Sequence, residues 1–289
     1  MPAGQPFTRL CEQMARPALA GRADLHLHTT ASDGTYTPAE IVDLGRRSGL
    51  SALAITDHDN LEGIGPARVA AAECLEVIAG VEVTATFRSK EIHLLGFFFR
   101  ADDESLNRAL ADLRQGRSDR FLEMAERLRA LGVPVGTEAF AGAGGTIALG
   151  RRHLAELVVK AGRAGTVQQA FQRYLGDRGR VSVPKRCLPV AEAVALIRGA
   201  GGVASWAHPS YDCTLESLRE LRGLGMQALE VDFPSCRPGR GREMRAWAKM
   251  LGLAVTGGSD CHGPGAPRRA VGACGLSSIE LEQLREKVE

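Results

Sequence analysis

The chain has few of the features that mark secreted, membrane-bound or redox proteins. Its seven cysteines are odd in number, scattered and never arranged as Cys-x-x-Cys, which argues against a disulfide framework or a zinc ribbon. No run of about eighteen apolar residues is present for a membrane span, and the first twenty residues lack the apolar core of a signal peptide. We therefore expect a protein of the reducing cytoplasm that does not bind membranes.

Further absences limit the range of ligands. Only two tryptophans and three tyrosines occur, too few for an extended aromatic platform that stacks single-stranded nucleic acid. The segments GVPVG and AGAGG lack the lysine and the Ser/Thr of a phosphate-binding P-loop. There is no internal repeat and no low-complexity tract. These absences favour a small ligand over long nucleic acid.

The patterning that is present alternates strands with helices. Thr37-Pro38-Ala39-Glu40 has the form of a capping box with proline at the first helical position. Units of the same kind recur over residues 51–73, 189–207, 214–231 and 238–257. Strands that alternate with helices predict a parallel sheet, and polar groups at the carboxyl ends of its strands favour a barrel over an open sheet. A chain of 289 residues with 44% hydrophobic content can form such a barrel as one enzyme-sized unit.

Residues from about 100 to 186 depart from this pattern. They contain the helical segments LNRALADLRQG, RSDRFLEMAERLRALG and RRHLAELVVKAG, with no convincing buried strand. Sixteen Lys or Arg against ten Asp or Glu give the segment a net charge of +6, while the whole chain carries +2. We expect an all-helical insertion that forms a substrate wall. The predicted organisation is a leader (1–21), a first barrel part (22–99), the helical insertion (100–186) and a second barrel part (187–289).

Six of the seven histidines lie in short motifs at the ends of apolar runs. In a strand, residues i and i+2 point to the same face, so His26 and His28 of DLHLH can both face one metal ion. Asp260 and His262 of SDCH repeat this geometry. The remaining histidines are His58 in ITDHD, His93 in IHLLG and His208 in AHP.

Carboxylates complete the set. Asp33 in TTASDG, Glu82 in GVEV and Asp260 join the six histidines to give nine nitrogen or oxygen donors without an obligatory thiolate. Nine donors are too many for one ion, whereas several neighbouring ions use mixed imidazole and bridging carboxylate ligands. The set therefore predicts a catalytic site with two or three divalent ions. Ligand softness favours manganese, iron or zinc over magnesium or copper.

The order of these motifs resembles the polymerase and histidinol phosphatase (PHP) family of metal-dependent phosphoesterases. The motifs DLHLHTTASDG, ITDHD, GVEV, IHLLG, AHP and GSDCH follow one another as in that family, over roughly residues 22–275. The resemblance implies a distorted (β/α)7 barrel of α/β class. It also implies three metal ions bound by His26, His28, Asp33, His58, Glu82, His93, His208, Asp260 and His262. The chain looks closest to the branch that removes phosphate from nucleoside phosphates, including 3',5'-bisphosphates.

The function expected from this resemblance is hydrolysis of a phosphomonoester of a nucleotide or similar small phosphorylated metabolite. The metal ions would lower the pKa of a bridging water to near neutrality, so that the resulting hydroxide attacks phosphorus. Two alternatives stay open. One is a cyclic phosphodiesterase or a 5'-3' exonuclease on short oligonucleotides; the other is a non-catalytic, metal-stabilised binding module.

Substrate contacts are expected from the basic insertion. Arg151 and His153 begin a helix, where free backbone amides and the arginine fork favour a phosphate, and the resemblance implies this role for the pair. A capping role for His153 is the alternative. Arg117, Arg120 and Lys185 are weaker candidates for the same wall, and a solvated helical face is the alternative for the remaining basic residues.

Several further positions bear on catalysis and on substrate contacts. Asp59, or else Asp57, is expected to orient His58 or to protonate the leaving group. Cys261 lies between two ligands, but its side chain should point away from them, which favours packing over a nucleophilic role. The chain also departs from related phosphatases, with Cys236 where a histidine is frequent and Val181 and Ser182 where an aromatic residue is frequent, so a base or phosphate contact is missing or replaced.

Overall fold

The computed structural model describes residues 21–140, 146–176, 179–211 and 213–288. The predicted leader lies outside these residues except for Gly21, as does the glycine-rich link AGAGG at 141–145.

One curved sheet organises the fold. Within the described residues it contains seven strands of four or more residues and two shorter ones. The strands are β1 (Arg22–Leu27), β2 (Leu50–Ile55), β3 (Glu76–Phe87), β4 (Lys90–Phe97), β5 (Leu188–Pro189), β6 (Val203–Trp206), β7 (Ala228–Asp232), β8 (Ala254–Gly257) and β9 (Leu276–Ser277). The sheet order is β8-β7-β6-β4-β3-β2-β1-β9, and β5 pairs with β3.

Six of the seven longer strands run in the same direction. Strands β1, β2 and β3 are parallel to one another, and so are β6, β7 and β8. Strand β4 is antiparallel to both of its neighbours, β3 and β6. The carboxyl ends of the six parallel strands therefore meet at one end of the sheet, where polar side chains can converge.

The sheet nearly closes into a barrel because the chain after β8 returns to β1. Cys261 forms a parallel bridge with Leu27, and the backbone N–H of His28 donates to the carbonyl of Cys261 at 3.0 Å. The buried carboxylate of Asp24 accepts from the backbone N–H of Ser259 at 2.9 Å and from that of Gly272 at 2.8 Å. This closure confirms the predicted α/β barrel.

Helices connect and cover the strands. Helix α1 (Pro38–Arg47) starts with the predicted capping box, in which the side chains of Thr37 and Glu40 each accept a hydrogen bond from the other residue's backbone N–H. None of the described helices is long and apolar enough to cross a bilayer. The helices are α1 (Pro38–Arg47), α2 (Ile64–Ala71), α3 (Glu104–Ala130), α4 (Arg151–Lys160), α5 (Val167–Ala170), α6 (Val190–Gly199), α7 (Leu215–Gly223), α8 (Pro238–Leu251) and α9 (Ser278–Arg285).

The two helical segments expected around Gly116 form one continuous helix, α3, of 27 residues. A glycine inside a helix lowers helix stability by about 1 kcal/mol relative to alanine. Packing at both ends of α3 outweighs this loss. Leu106 and Leu110 pack in the core beneath the barrel, whereas Phe121 and Leu128 pack in a separate core. This second core also contains side chains of α4 and α5, and the described residues between β4 and β5 include no strand. The boundaries of the inserted unit stay a prediction.

The seam between β1 and the end of β8 generates a test of the fold. A Cβ added at Gly258 would lie 2.8 Å from the Cα of His26, so Gly258→Ala forces β1 away from β8. We expect the free energy of unfolding to fall by about 1–3 kcal/mol, as for an overpacked core. Gly239→Ala is the matched control, because Gly239 lies in α8 with open space around it and alanine should stabilise by about 0.4–1 kcal/mol. Equal stability of the two variants in urea unfolding would contradict the closed seam.

Candidate metal centre

The carboxylate of Glu82 on β3 lies among five histidine rings. Glu82 is only 1% exposed, so solvent does not satisfy its oxygens. The nearest rings, each with a nitrogen 2.8 Å from the carboxylate, are those of His58, His93 and His208. The Nε2 atoms of His28 and His26 follow at 3.3 and 3.5 Å. Four strand regions of the barrel thus converge on one acid.

Two further carboxylates border the same cluster. Asp260 Oδ1 lies 3.4 Å from Nε2 of His28 and 3.7 Å from Nε2 of His26. Asp33 Oδ1 lies 3.3 Å from Nε2 of His262, whose ring stacks on that of His28 with 4.0 Å between the centroids. The structure therefore brings all nine sequence-predicted donors together.

The sheet topology explains this convergence. His28, His58 and His208 lie within three residues of the carboxyl ends of β1, β2 and β6, whereas Glu82 lies within the longer β3. His93 comes from the antiparallel β4, where it pairs with Thr84 of β3. Three of the seven described non-glycine residues with positive φ lie here: His208, Asp260 and the residue after His58, Asp59, with φ values of 28°, 47° and 49°. Such left-handed conformations cluster at functional sites.

Several buried atoms at the centre have no hydrogen-bond partner among the described residues. His58 Nδ1 and Glu82 Oε2 are 2.8 Å apart but form no hydrogen bond, and Nε2 of His28 is equally unpaired. Buried polar atoms without partners are costly, and bound cations would satisfy them.

The donors fall into three groups whose ligand atoms lie within 4.8 Å of one another: His28 with Asp33, His58 and His262; His26 with His28 and Glu82; and His58 with Glu82 and His93. This donor set fits divalent ions.

The electrostatics favour the ligating forms of the carboxylates. Burial alone would raise the pKa of Glu82, but His58, His93 and the other rings around it hold that pKa well below its usual range. The same balance of burial against nearby histidines lowers the pKa of Asp33 and of Asp260. Burial lowers the pKa of His58 to about 3, so its ring is neutral, whereas the nearby carboxylates outweigh burial and raise the pKa of His26, His28 and His93. Metal ligation would require these three rings to release a proton.

The position of Asp59 argues against its predicted role as a general acid. Its carboxylate accepts from Arg117 Nε at 2.6 Å and from the N–H and hydroxyl of Thr84 at 2.8 and 2.9 Å. Burial would raise the pKa of Asp59, but Arg117 and Thr84 hold it below its usual value, so the proton needed by a leaving group is absent. The Asp59 carboxylate also forms no hydrogen bond with the His58 ring. It instead holds the side chain of Arg117 in place.

Asp57, the alternative to Asp59, also bonds elsewhere. Its carboxylate accepts from the N–H and hydroxyl of Thr29, both at 2.7 Å, and from the hydroxyl of Ser32 at 2.5 Å. These bonds hold the loop that carries Asp33. Asp57 therefore orders the loop rather than the His58 ring.

The weaker substrate-binding candidates, Arg117, Arg120 and Lys185, form hydrogen bonds with other protein groups. Arg117 is buried and also donates to the hydroxyl of Thr84 at 2.8 Å. Arg120 donates to the carbonyl of Val183 at 2.8 Å, and Lys185 donates to Glu91 at 2.5 Å. These three residues build the wall beside the cluster, and their direct contact with substrate stays a prediction.

Arg151 and His153 lie at the start of α4, as predicted, but in different settings. His153 Nδ1 accepts from the N–H of Gly150 at 3.0 Å, so the ring caps the helix, and burial lowers its pKa. Arg151 Nη1 donates to the carbonyl of Leu175 at 3.2 Å. Arg151 also lines a cavity of about 310 Å³ together with His93 and His208. Of the two, Arg151 is the residue that faces the space beside the cluster.

Two acidic residues near the proposed ligands, Glu230 and Glu91, were not predicted from the sequence. Glu230 of β7 accepts from Nδ1 of His26 at 3.0 Å and from the backbone N–H of His208. Glu91 of β4 contacts Nε2 of His93 at 3.1 Å. The only sequence signal for Glu230 was an acid within the apolar run ALEV. Cys261 packs in the core, as predicted.

Comparisons with known proteins agree with this geometry. The sequence profile of the PHP domain matches residues 24–136. A 5'-3' exoribonuclease of Haemophilus influenzae is 33% identical over 248 residues, which cover 83% of this chain and 90% of that protein. A 3',5'-nucleoside bisphosphate phosphatase of Chromobacterium violaceum is 32% identical over 261 residues, with coverages of 86% and 90%.

A solved structure extends the agreement to the fold. A protein of Bifidobacterium adolescentis that is assigned as a metal-dependent phosphoesterase superposes with a TM-score of 0.84 at 30% identity. The superposition covers 92% of this chain and 96% of that one. The likeness therefore extends beyond the metal motifs to most of the chain.

The pairing of Asp59 with Arg117 generates a test. Asp59→Asn leaves a buried guanidinium without its counter-charge, so the free energy of unfolding of the metal-free protein should fall by about 3–5 kcal/mol. Urea unfolding measures this loss. Asp119→Asn on the exposed face of α3 is the control and should change stability by no more than about 0.5 kcal/mol. Unchanged stability of Asp59→Asn together with lost turnover would restore Asp59 as the general acid.

Proposed function

The chain belongs to the PHP family of metal-dependent phosphoesterases and is a hydrolase of phosphate esters; from this premise we propose that it removes phosphate from nucleotides or similar small phosphorylated metabolites. The observation that carries the proposal is the buried Glu82 carboxylate among five imidazoles. A cytoplasmic location, which we also propose, is supported by six cysteines of the described residues, all of which are free thiols.

We propose two or three divalent ions of manganese, iron or zinc at this cluster. Mixed imidazole and carboxylate donors without thiolate support these metals. Such ions lower the pKa of water and offset the charge of phosphoryl oxygens. The proposed ligands are His26, His28, Asp33, His58, Glu82, His93, His208, Asp260 and His262.

The protein's own contribution is to bind and orient the phosphate. Helix α4 begins beside the cluster, because a Cβ added at its N-cap, Gly150, would lie 3.7 Å from Asp33 Oδ2. The amino end of a helix attracts anions through its free N–H groups and its dipole. Arg151, the first residue of α4, lines the cavity next to His93 and His208. We assign phosphate binding to Arg151 and helix capping to His153.

The adjoining space sets the size of the alcohol half of the substrate. The cavity of about 310 Å³ beside Arg151 and a second of about 240 Å³ beside Phe233 both reach His208. Each has room for a small organic group, and aromatic side chains border both, Trp206 in the first and Phe233 in the second. This arrangement supports a nucleoside-sized leaving group.

A 5'-3' exonuclease acting on short oligonucleotides is the second candidate. The relative from Haemophilus influenzae, which is named a 5'-3' exoribonuclease, favours it. The scarcity of aromatic residues argues against a long binding track for single strands. A cyclic phosphodiesterase would use the same cluster.

A substrate panel tests the proposed function. Protein loaded with Mn²⁺, and separately with Zn²⁺, should release inorganic phosphate from nucleoside mono- or bisphosphates, since these combine a terminal phosphate with a small leaving group. Dinucleotides, short 5'-phosphorylated oligonucleotides and cyclic phosphates complete the panel. Turnover of the diesters alone, with every monoester inert, would replace the first candidate with the second. Binding without turnover of any ester would indicate a binding module.

Two variants separate metal binding from phosphate binding. His28→Ala should lose both metal content and activity, because His28 belongs to two of the three donor groups. Arg151→Ala should keep its metal and lose about 10- to 100-fold in kcat/KM, the value of a charged hydrogen bond to phosphate. Arg152→Ala is the matched control, since Arg152 pairs with Glu156 at 3.4 Å instead of lining the cavity. Elemental analysis and steady-state kinetics measure both effects, and equal metal loss in His28→Ala and Arg151→Ala would refute this division of roles.

A further inference from the structure

We infer that Glu230, a buried residue of β7 outside the nine proposed ligands, is a positioning residue that fixes how His26 and His208 face the metal ions. The inference rests on the proposed function insofar as it takes the cluster to bind metal. Glu230 has no solvent exposure, and it lies opposite Thr256 of β8 in the sheet. Its strand, β7, lies between β6, which precedes His208, and β8, which precedes Asp260.

Each oxygen of Glu230 contacts a different candidate ligand. Oε1 lies 3.0 Å from Nδ1 of His26, which belongs to β1. Oε2 accepts the backbone N–H of His208, which follows β6. Among the described residues, Glu230 forms an ion pair with His26 and with no lysine or arginine. A buried carboxylate is costly without compensating charge, which bound cations would provide.

The contact with His26 sets which ring nitrogen faces the cluster. A carboxylate accepts a hydrogen bond, so Nδ1 of His26 must carry the proton. In the neutral ring the lone pair then lies on Nε2, the atom 3.5 Å from Glu82 and 3.7 Å from Asp260. Nε2 has no hydrogen-bond partner among the described residues. Glu230 therefore presents His26 in the form that binds metal through Nε2.

The contact with His208 holds a strained backbone in place. His208 has φ of 28°, a left-handed conformation that is unfavourable for a non-glycine residue unless its surroundings fix it. Anchoring its N–H on Glu230 leaves the ring free to point at Glu82, with Nε2 2.8 Å from Oε1. One carboxylate thus couples two ligands from strand regions that β2, β3 and β4 separate in the sheet order.

Glu230→Gln tests this assignment with little change of shape. If the amide oxygen accepts from His208, the amide N–H₂ donates to Nδ1 of His26 and forces the proton onto Nε2, which then cannot bind metal. If the amide is reversed, its N–H₂ meets the N–H of His208, and two donors face each other. Either orientation disrupts one ligand, whereas the carboxylate serves both.

The measurement is the affinity of metal-free protein for Zn²⁺, obtained by competition with a chromophoric chelator. We expect Glu230→Gln to bind at least one Zn²⁺ about 10- to 100-fold more weakly than the parent, with an unchanged circular dichroism spectrum. Asp232→Asn is the matched control on the same strand, because Asp232 accepts from the N–H of Gly275 at 3.0 Å and an amide oxygen can keep that bond. Equal Zn²⁺ affinity of Glu230→Gln and the parent overturns the inference but not the proposed function. A parent protein that binds no Zn²⁺ overturns the proposed function as well.

A measurement on the parent protein decides the matter if Glu230→Gln fails to fold. Nitrogen-15 NMR of the Zn²⁺-loaded protein reports which nitrogen of each histidine carries the proton. We expect His26 to be protonated on Nδ1 and bound to metal through Nε2. Protonation of His26 on Nε2 would overturn the role of Glu230.

Discussion

One carboxylate with five imidazoles around it sets the chemistry of this protein. The two oxygens of Glu82 cannot accept ordinary hydrogen bonds from all five rings at once, and water has almost no access to them. Several of these atoms lie close together without bonding, as His58 and Glu82 do. Such a cluster is stable when cations lie among the donors, because each cation offsets the carboxylate charge and satisfies several lone pairs. The same cations suit the hydrolysis of phosphate esters.

The barrel and the cluster depend on each other. Ligands from β1 and from the segment after β8 become neighbours only because the sheet closes, and Asp24 joins segments that lie 235 residues apart along the chain. Glycine at position 258 permits β1 to approach that closely. The direction of the strands then places His28, His58 and His208 at one end, while the antiparallel β4 adds His93 from the side. Substitutions between β1 and the end of β8 should therefore change both the free energy of unfolding and the affinity for metal ions.

The sequence was sufficient to predict the barrel and the nine converging donors, because the six histidines lie in short motifs at the ends of apolar runs and the three carboxylates lie in or near the same motifs. It was also sufficient for the start of α1, where Thr37 and Glu40 interact locally. Contacts between segments that are distant in the sequence could not be predicted in this way. Asp59 looked like an acid for catalysis because it adjoins His58, yet its partner Arg117 lies 58 residues further on, in α3. Glu230 was missed for the same reason, since its contact with His26 spans 204 residues. The continuous α3 was missed because packing on two cores outweighs the local preference of Gly116.

The most direct test of the account is anomalous diffraction from crystals of the protein grown with Mn²⁺. The account predicts two or three anomalous peaks around Glu82, each within about 2.0–2.3 Å of at least one histidine nitrogen or carboxylate oxygen of the cluster. A crystal in which Mn²⁺ binds elsewhere, with no peak among Glu82, His28 and His58, would contradict it.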